Sequence, residues 1–244
     1  MQPLTEDFLD QCPVENGFRM RGVAMTRIEV FVDAAFAFAV TMLVISIDEI
    51  PSNMTELIAA SKYIPAFILS VAQVVYIWHH HSTWSRKFGL EDSQTVILSV
   101  SLLTAVLVYI YPLKILFEGL FTWLSQGYLP SGFQFQSYDE LRFLFYYLAI
   151  GFLIICLIFM ALYRHALKLK LNLKLSEFEI FNVRTSVIIR FSMIIVATIA
   201  LITPALLPSH LVPFSGFVYI LLWPSVSLVH KARNRKWQKL KTTD

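Results

Sequence analysis

Arg27-Ile-Glu-Val-Phe31-Val-Asp33-Ala-Ala-Phe-Ala-Phe38-Ala-Val-Thr41-Met42-Leu-Val-Ile45 is the stretch on which the fold turns. Asp33 falls about two helical turns inside it, with Glu29 one turn below on the same face. Beyond Asp33 the run is apolar apart from Thr41 and Ser46, until Asp48 and Glu49 at its far end. An ionisable group inside such a run is costly in lipid, so it faces other helices or water. Ala34, Ala35, Ala37 and Ala39 are small enough to let a second helix come close. The pattern predicts a membrane helix with one face committed to partners.

The rest of the chain agrees. Its 244 residues are 57% hydrophobic and only 15% charged, with a mean hydropathy of +0.62. Soluble domains average about 25% charged residues, which leaves lipid as the solvent that explains the deficit. About 17–25 apolar residues span the hydrocarbon layer. Six runs meet that length, at 26–48, 62–84, 94–117, 141–164, 186–207 and 212–231. Helices are expected for all six, because Leu153 to Phe159 and similar stretches lack the alternation of a lipid-facing β-barrel. The first run is too long to be a signal peptide, and the polar leader at 1–25 carries Glu6, Asp7, Asp10 and Glu15. Cys12 and Cys156 lie in unlike contexts, polar and apolar, so no disulfide is expected.

Charge gives the orientation. The net charge of +3 is small, but the basic residues are unevenly placed. Arg19, Arg21 and Arg27 precede the first run, and Arg86 and Lys87 follow the second. Arg164, Lys168, Lys170, Lys174 and Arg184 lie between the fourth and fifth; Lys231, Arg233, Arg235, Lys236, Lys239 and Lys241 close the chain. An even number of spans puts all of these on one side, which predicts cytoplasmic termini in a cell-membrane protein. Aromatic residues at 117–138 suit an interfacial or re-entrant segment on the outer side, and the Lys/Leu alternation at 165–185 predicts a basic helix along the inner surface. The basic tail at 232–244, with Trp237, reads as an anchor for anionic lipid rather than for nucleic acid.

Within the first run Phe38, Thr41, Met42 and Ile45 share one stripe at i, i+3, i+4 and i+7. Such a stripe is commonly core. Arranged around an axis, it would instead form stacked rings with one hydroxyl layer among apolar ones, and apolar constrictions can gate by dewetting. The second run ends Trp78-His79-His80-His81, whose three imidazoles point about 100° apart and cannot share one metal. Lys114 and Glu118 predict a local ion pair, and Arg190 a side chain that snorkels to the inner surface. No HExxH, GxSxG, GxxxxGK[ST] or TVGYG element occurs, so no enzyme, bound cofactor or metal centre is expected.

The stretch from Arg27 to Ile47 resembles the opening helix of the transmembrane protein 175 family of potassium channels, whose signature is R-x-x-x-F-S-D before an Ala-rich run with a Thr. Here it appears as Arg27, Phe31, Val32 and Asp33. Trp78 with His79 to Ser82 is similar to the family's W-x-x-H-H element, and Tyr111-Pro112 to its third-helix proline. The resemblance implies an all-α membrane protein of six helices per chain, with the first helix lining the pore of a homotetramer. It implies a narrow ring at Phe38, a threonine layer at Thr41, and apolar rings at Met42 and Ile45. It implies a polar network behind them from Arg27, Phe31, Asp33, Trp78 and one of His79, His80 and His81. Asp48 and Glu49 would stand at the outer mouth. Val32 replaces the motif serine, and Phe38 stands where Ile or Leu is usual.

The expected function is passive conduction of potassium through a hydrophobic pore, with permeant ions as the only ligand. The alternative is a proton- or solute-coupled transporter using Asp33 and His79 to His81 as a relay. A third is a membrane scaffold without a working pore.

Overall fold

The computed structural model describes residues 4–45 and 51–241. The chain begins with a short helix α1 (Glu6–Gln11), whose cap Thr5 accepts a hydrogen bond from Phe8 N, and a hairpin of β1 (Val14–Glu15) and β2 (Phe18–Arg19). Asn16 and Gly17 form the hairpin turn at φ 51° and 77°, the left-handed pair that suits a two-residue turn. Helix α2 follows (Arg27–Ile45), capped where the Thr26 hydroxyl accepts from Glu29 N. Then come α3 (Met54–Ser61) and α4 (Ile64–Phe88), bent 45° from each other. Helices α5 (Ser93–Leu124), α6 (Tyr138–Lys168) and α7 (Glu177–Leu206) are capped by Asp92, Ser137 and Ser176. A 3-10 segment (Ser209–Leu221) continues directly into α8 (Leu222–Lys241).

Among the described residues, α5, α6, α7 and the rod Ser209–Lys239 are each long and apolar enough to cross a membrane, and the bent pair α3–α4 makes a fifth such element. Helix α2 covers 27–45 of the first apolar run. The helices pack as a bundle in which α6 lies between α5 and α7, and α2 rests on α4 and α5. Leu102, Leu148 and Leu162 have no exposed surface, and the ring of Tyr109 occupies the space that a side chain at Gly151 would need.

In the outer segment 117–138, α5 continues to Leu124, and turns and bends then lead on to Tyr138. The inner connection differs from the sequence expectation. Residues 169–176 form a tight turn rather than a surface helix: Leu173 and Leu175 are buried, while Leu171 is exposed. Their alternation with lysine reflects packing against the N-terminal segment, which bonds to this turn from Leu4 N to Asn172 O.

The N-terminal leader is folded. Leu9, Cys12, Phe18 and Met20 are buried, and Arg21 N and Gly22 N bond to the carbonyls of Lys87 and Arg86 at the end of α4. Gly89 closes α4 at φ 57°, and a Cβ there would lie 2.9 Å from Arg21 O, so this junction requires glycine twice over. Arg21 is the centre of the cap. Its guanidinium donates to Leu173 O, Arg19 O and Lys174 O and forms a two-pronged pair with Glu179, whose side chain is as buried as its own. Glu179 also completes a capping box with Ser176. On the same end of the bundle Asp92 accepts from His165 at 2.8 Å, and Trp237 packs on Phe178 and Phe181. The N-terminal cap, the α4–α5 and α6–α7 turns and the C-terminal helix therefore share one basic end.

Candidate functional site

Helix α2 is two-faced. Val32, Phe36, Ala39 and Leu43 are all 3% exposed or less and form the stripe that meets α4 and α5. Phe31, Ala34, Phe38 and Thr41 lie on the opposite side and are exposed; Met42 is half-buried. Phe38 is 57% exposed, a large apolar surface left open among the described residues. The Thr41 hydroxyl donates to Phe38 O at 2.7 Å, which fixes its rotamer and turns its oxygen lone pairs outward. The side chain of Ile45, and Asp48 and Glu49, lie outside the described residues.

Behind this face polar groups join α2 to α4. Trp78 Nε1 donates to Asp33 Oδ1 at 2.7 Å. One turn earlier Glu29, 4% exposed, is hydrogen-bonded by the buried Ser85. Glu29 and Asp33, four residues apart on α2, thus meet Ser85 and Trp78, seven residues apart on α4, and the two carboxylates join one helix to the other. Asp33 and Trp78 also border a cleft of about 210 Å³ with Phe36, Ala37, Val40, Val74 and Val75.

The structure corrects part of the network. Asp33 takes its hydrogen bond from Trp78 and not from a histidine. His81 is buried against Ser99 Oγ at 3.0 Å and so ties α4 to α5, His80 faces Arg190, and His79 is exposed. The three imidazoles thus diverge, and they do not form a continuous relay with Asp33. Arg27 and Phe31 are exposed at the start of α2, and among the described residues no ion pair joins Arg27 to Asp33. Arg190 does not snorkel; it is 8% exposed and lies in the bundle. Lys114 and Glu118 pair at 3.5 Å as expected, and Glu118 also accepts from Gly132 N.

Sequence reading did not anticipate the Arg21–Glu179 pair or the Asp92–His165 bond. A signal existed for each. Ser176-x-x-Glu179 is a capping-box spacing, and Asp92 stands directly before an apolar run. Their long-range partners carry no local mark.

Comparison with known proteins decides what the arrangement belongs to. Residues 27–112 match the family described as endosomal/lysosomal potassium channel TMEM175. Over 233 residues the chain is 34% identical to a protein of Marivirga tractuosa named potassium channel, covering 91% of this chain and 93% of the relative. The chain belongs to the TMEM175 family. Within that family, its fold superimposes on the crystal structure of a variant of the potassium channel MtTMEM175, determined with a nanobody–MBP fusion protein. The TM-score is 0.80 at 31% identity, over 91% of this chain and 99% of that one. TMEM175 members so described are membrane channels and not enzymes. The matched segment 27–112 contains α2, α4 and the first part of α5, and so includes both the outward stripe of α2 and the polar contacts behind it.

Proposed function

We propose that this chain is a potassium-preferring cation channel of six membrane-crossing elements per subunit, assembled as a homotetramer in the cell membrane. The conducting path runs along the outward faces of four α2 helices. Rings of Phe38, Thr41, Met42 and Ile45 line it, and no carbonyl filter is involved. The observation that carries this reading is that α2 buries Val32, Phe36, Ala39 and Leu43 in its own chain and turns Phe38 and Thr41 away from it. Asp33, engaged by Trp78, supports the lining helix from behind, and Arg27 stands at the inner mouth. Asp48 and Glu49 belong to the outer mouth. The basic end of the bundle faces the cytoplasm and its anionic lipids, with both termini on that side.

Phe38 acts as the gate. Four phenyl rings near an axis exclude water, and none offers an oxygen in place of an ion's hydration shell. The test is potassium and sodium flux into liposomes holding the purified protein. Phe38→Ala raises basal cation flux, and Phe38→Ile leaves a conducting channel. A Phe38→Ala protein that assembles and carries the parent flux would place the gate elsewhere and refute this register. A detergent-corrected mass other than four chains would refute the assembly.

A further inference from the structure

Arg190 is a buried cation without a counter-ion. It lies on α7 facing α4 and α6, 8% exposed, and its guanidinium covers the rings of Phe159 at 5.2 Å and Tyr163 at 5.7 Å. Its hydrogen-bond contacts are Met193 Sδ at 3.3 Å and His80 Nδ1 at 3.4 Å. Among the described residues it forms no ion pair with a carboxylate. Arginine only donates, so its contact with His80 requires the lone pair of Nδ1 and puts the imidazole proton on Nε2. That Nε2–H is buried without a partner, and so is Arg190 Nε–H. Lys87, half-buried on α4 two turns after His80, places its ammonium over the Phe18 ring at 5.2 Å. Glu15 is held by Arg86 at 2.7 Å, and among the described residues Lys87 forms no ion pair.

The cluster is short of negative charge and of acceptors at once. Two orphan donors and two cations meet where α4, α6 and α7 approach one another, beside the exposed Tyr76 and His79. A planar guanidinium with free donors is the group best matched to a tetrahedral oxyanion. We propose that Arg190, His80 and Lys87 form a binding site for a phosphate group, with Arg190 as its anchor. The phosphate comes either from an anionic lipid headgroup at this end of the bundle or from free phosphate. The site is independent of the pore reading, since none of its residues lies on α2.

The test uses the full-length protein in detergent, titrated with phosphatidylglycerol, with phosphatidylcholine and with inorganic phosphate. Bound lipid is counted by native mass spectrometry, and the unfolding temperature is followed in parallel. The parent retains phosphatidylglycerol and unfolds at a higher temperature with it. Arg190→Gln weakens that binding about tenfold or more, the loss of charge-assisted hydrogen bonds from one group. Lys87→Gln, at a half-buried position, weakens it less and guards against misfolding of the first variant. Lys62→Gln, whose ammonium lies over the Tyr128 ring away from these residues, leaves it unchanged. A shift with inorganic phosphate alone assigns the site to the free anion; a shift with phosphatidylglycerol alone assigns it to the headgroup. The proposal is overturned if neither phosphate source binds the parent, or if Arg190→Gln and Lys87→Gln both bind as the parent does.

Discussion

Removing Glu179 is the sharpest single perturbation of the fold. Its carboxylate accepts from Arg19 N, from two nitrogens of Arg21 and from Ser176 N, all at 2.8–3.0 Å. The side chains of Arg21 and Glu179 are 1% and 2% exposed. Glu179→Ala therefore strips a buried guanidinium of its counter-charge and leaves two backbone N–H groups without their acceptor. Breaking a buried pair from one side costs about 3–5 kcal/mol, and each further orphaned donor about 1 kcal/mol or more. This centre is one of the ties that hold the cap over residues 4–22 to the bundle, so part of the loss should appear as local undocking. Thermal unfolding in detergent measures the whole, and hydrogen exchange of residues 4–22 measures the local share. Arg21→Met with Glu179→Leu together should lie closer to the parent than Glu179→Ala alone, because no unpaired charge remains buried. A Glu179→Ala protein within about 1 kcal/mol of the parent, with the cap amides still protected, would refute this account.

Four more outcomes are expected. Trp78→Phe leaves Asp33 Oδ1 without its donor and should cost about 1–3 kcal/mol in thermal unfolding, with the potassium-to-sodium flux ratio unchanged. Thr41→Val should alter that ratio in liposome flux, because it removes the hydroxyl layer of the stripe while keeping its shape. Burial opposes ionisation of Asp92, but hydrogen bonds from His165, Thr95 N and Gln94 N outweigh it and hold the carboxyl below its usual range. The stability it gives is thus present above the unfolded value of about 3.9 and is lost as pH falls through the lower folded one; Asp92→Asn should flatten that acid limb of the unfolding temperature. Gly89→Ala forces a left-handed Cβ to within 2.9 Å of Arg21 O and should lower stability by more than about 1 kcal/mol in the same assay.

What could be read from the sequence followed from local periodicity. Apolar runs at 62–84, 94–117, 141–164 and 186–207 were legible because lipid-facing helices need long uninterrupted apolar runs, and α4 to α7 lie over them with ends extended by capping residues. The α2 stripe was legible because Phe38, Thr41 and Met42 recur at helical spacing, although spacing alone leaves open which way a stripe faces. The donor to Asp33 was misassigned among neighbours: Trp78 and His79 are adjacent in sequence but about 100° apart on α4, and only packing selects the indole. The Lys168–Leu175 segment misled for the opposite reason. Alternating Leu and Lys there is a turn whose Leu173 and Leu175 face the N-terminal cap, a contact with a segment about 150 residues away. The leader read as polar because its acids are exposed, whereas its few apolar residues, Leu9, Phe18 and Met20, do the docking.

The bond from Trp78 to Asp33 also sets an order of assembly during synthesis. Asp33 leaves the ribosome 45 residues before Trp78, the group that satisfies it. In that interval α2 must carry an unpartnered carboxylate, and an aspartate near the centre of a nascent helix opposes insertion by about 2.5–3.5 kcal/mol. Its alanines contribute little hydrophobic drive against that penalty. Under the proposed topology α2 is therefore a late settler: it rests at the boundary of the bilayer until α4 emerges, and the two helices enter as a hairpin. A nascent chain stopped before Trp78 should remain extractable from the membrane by alkali, and one extended past Phe88 should not.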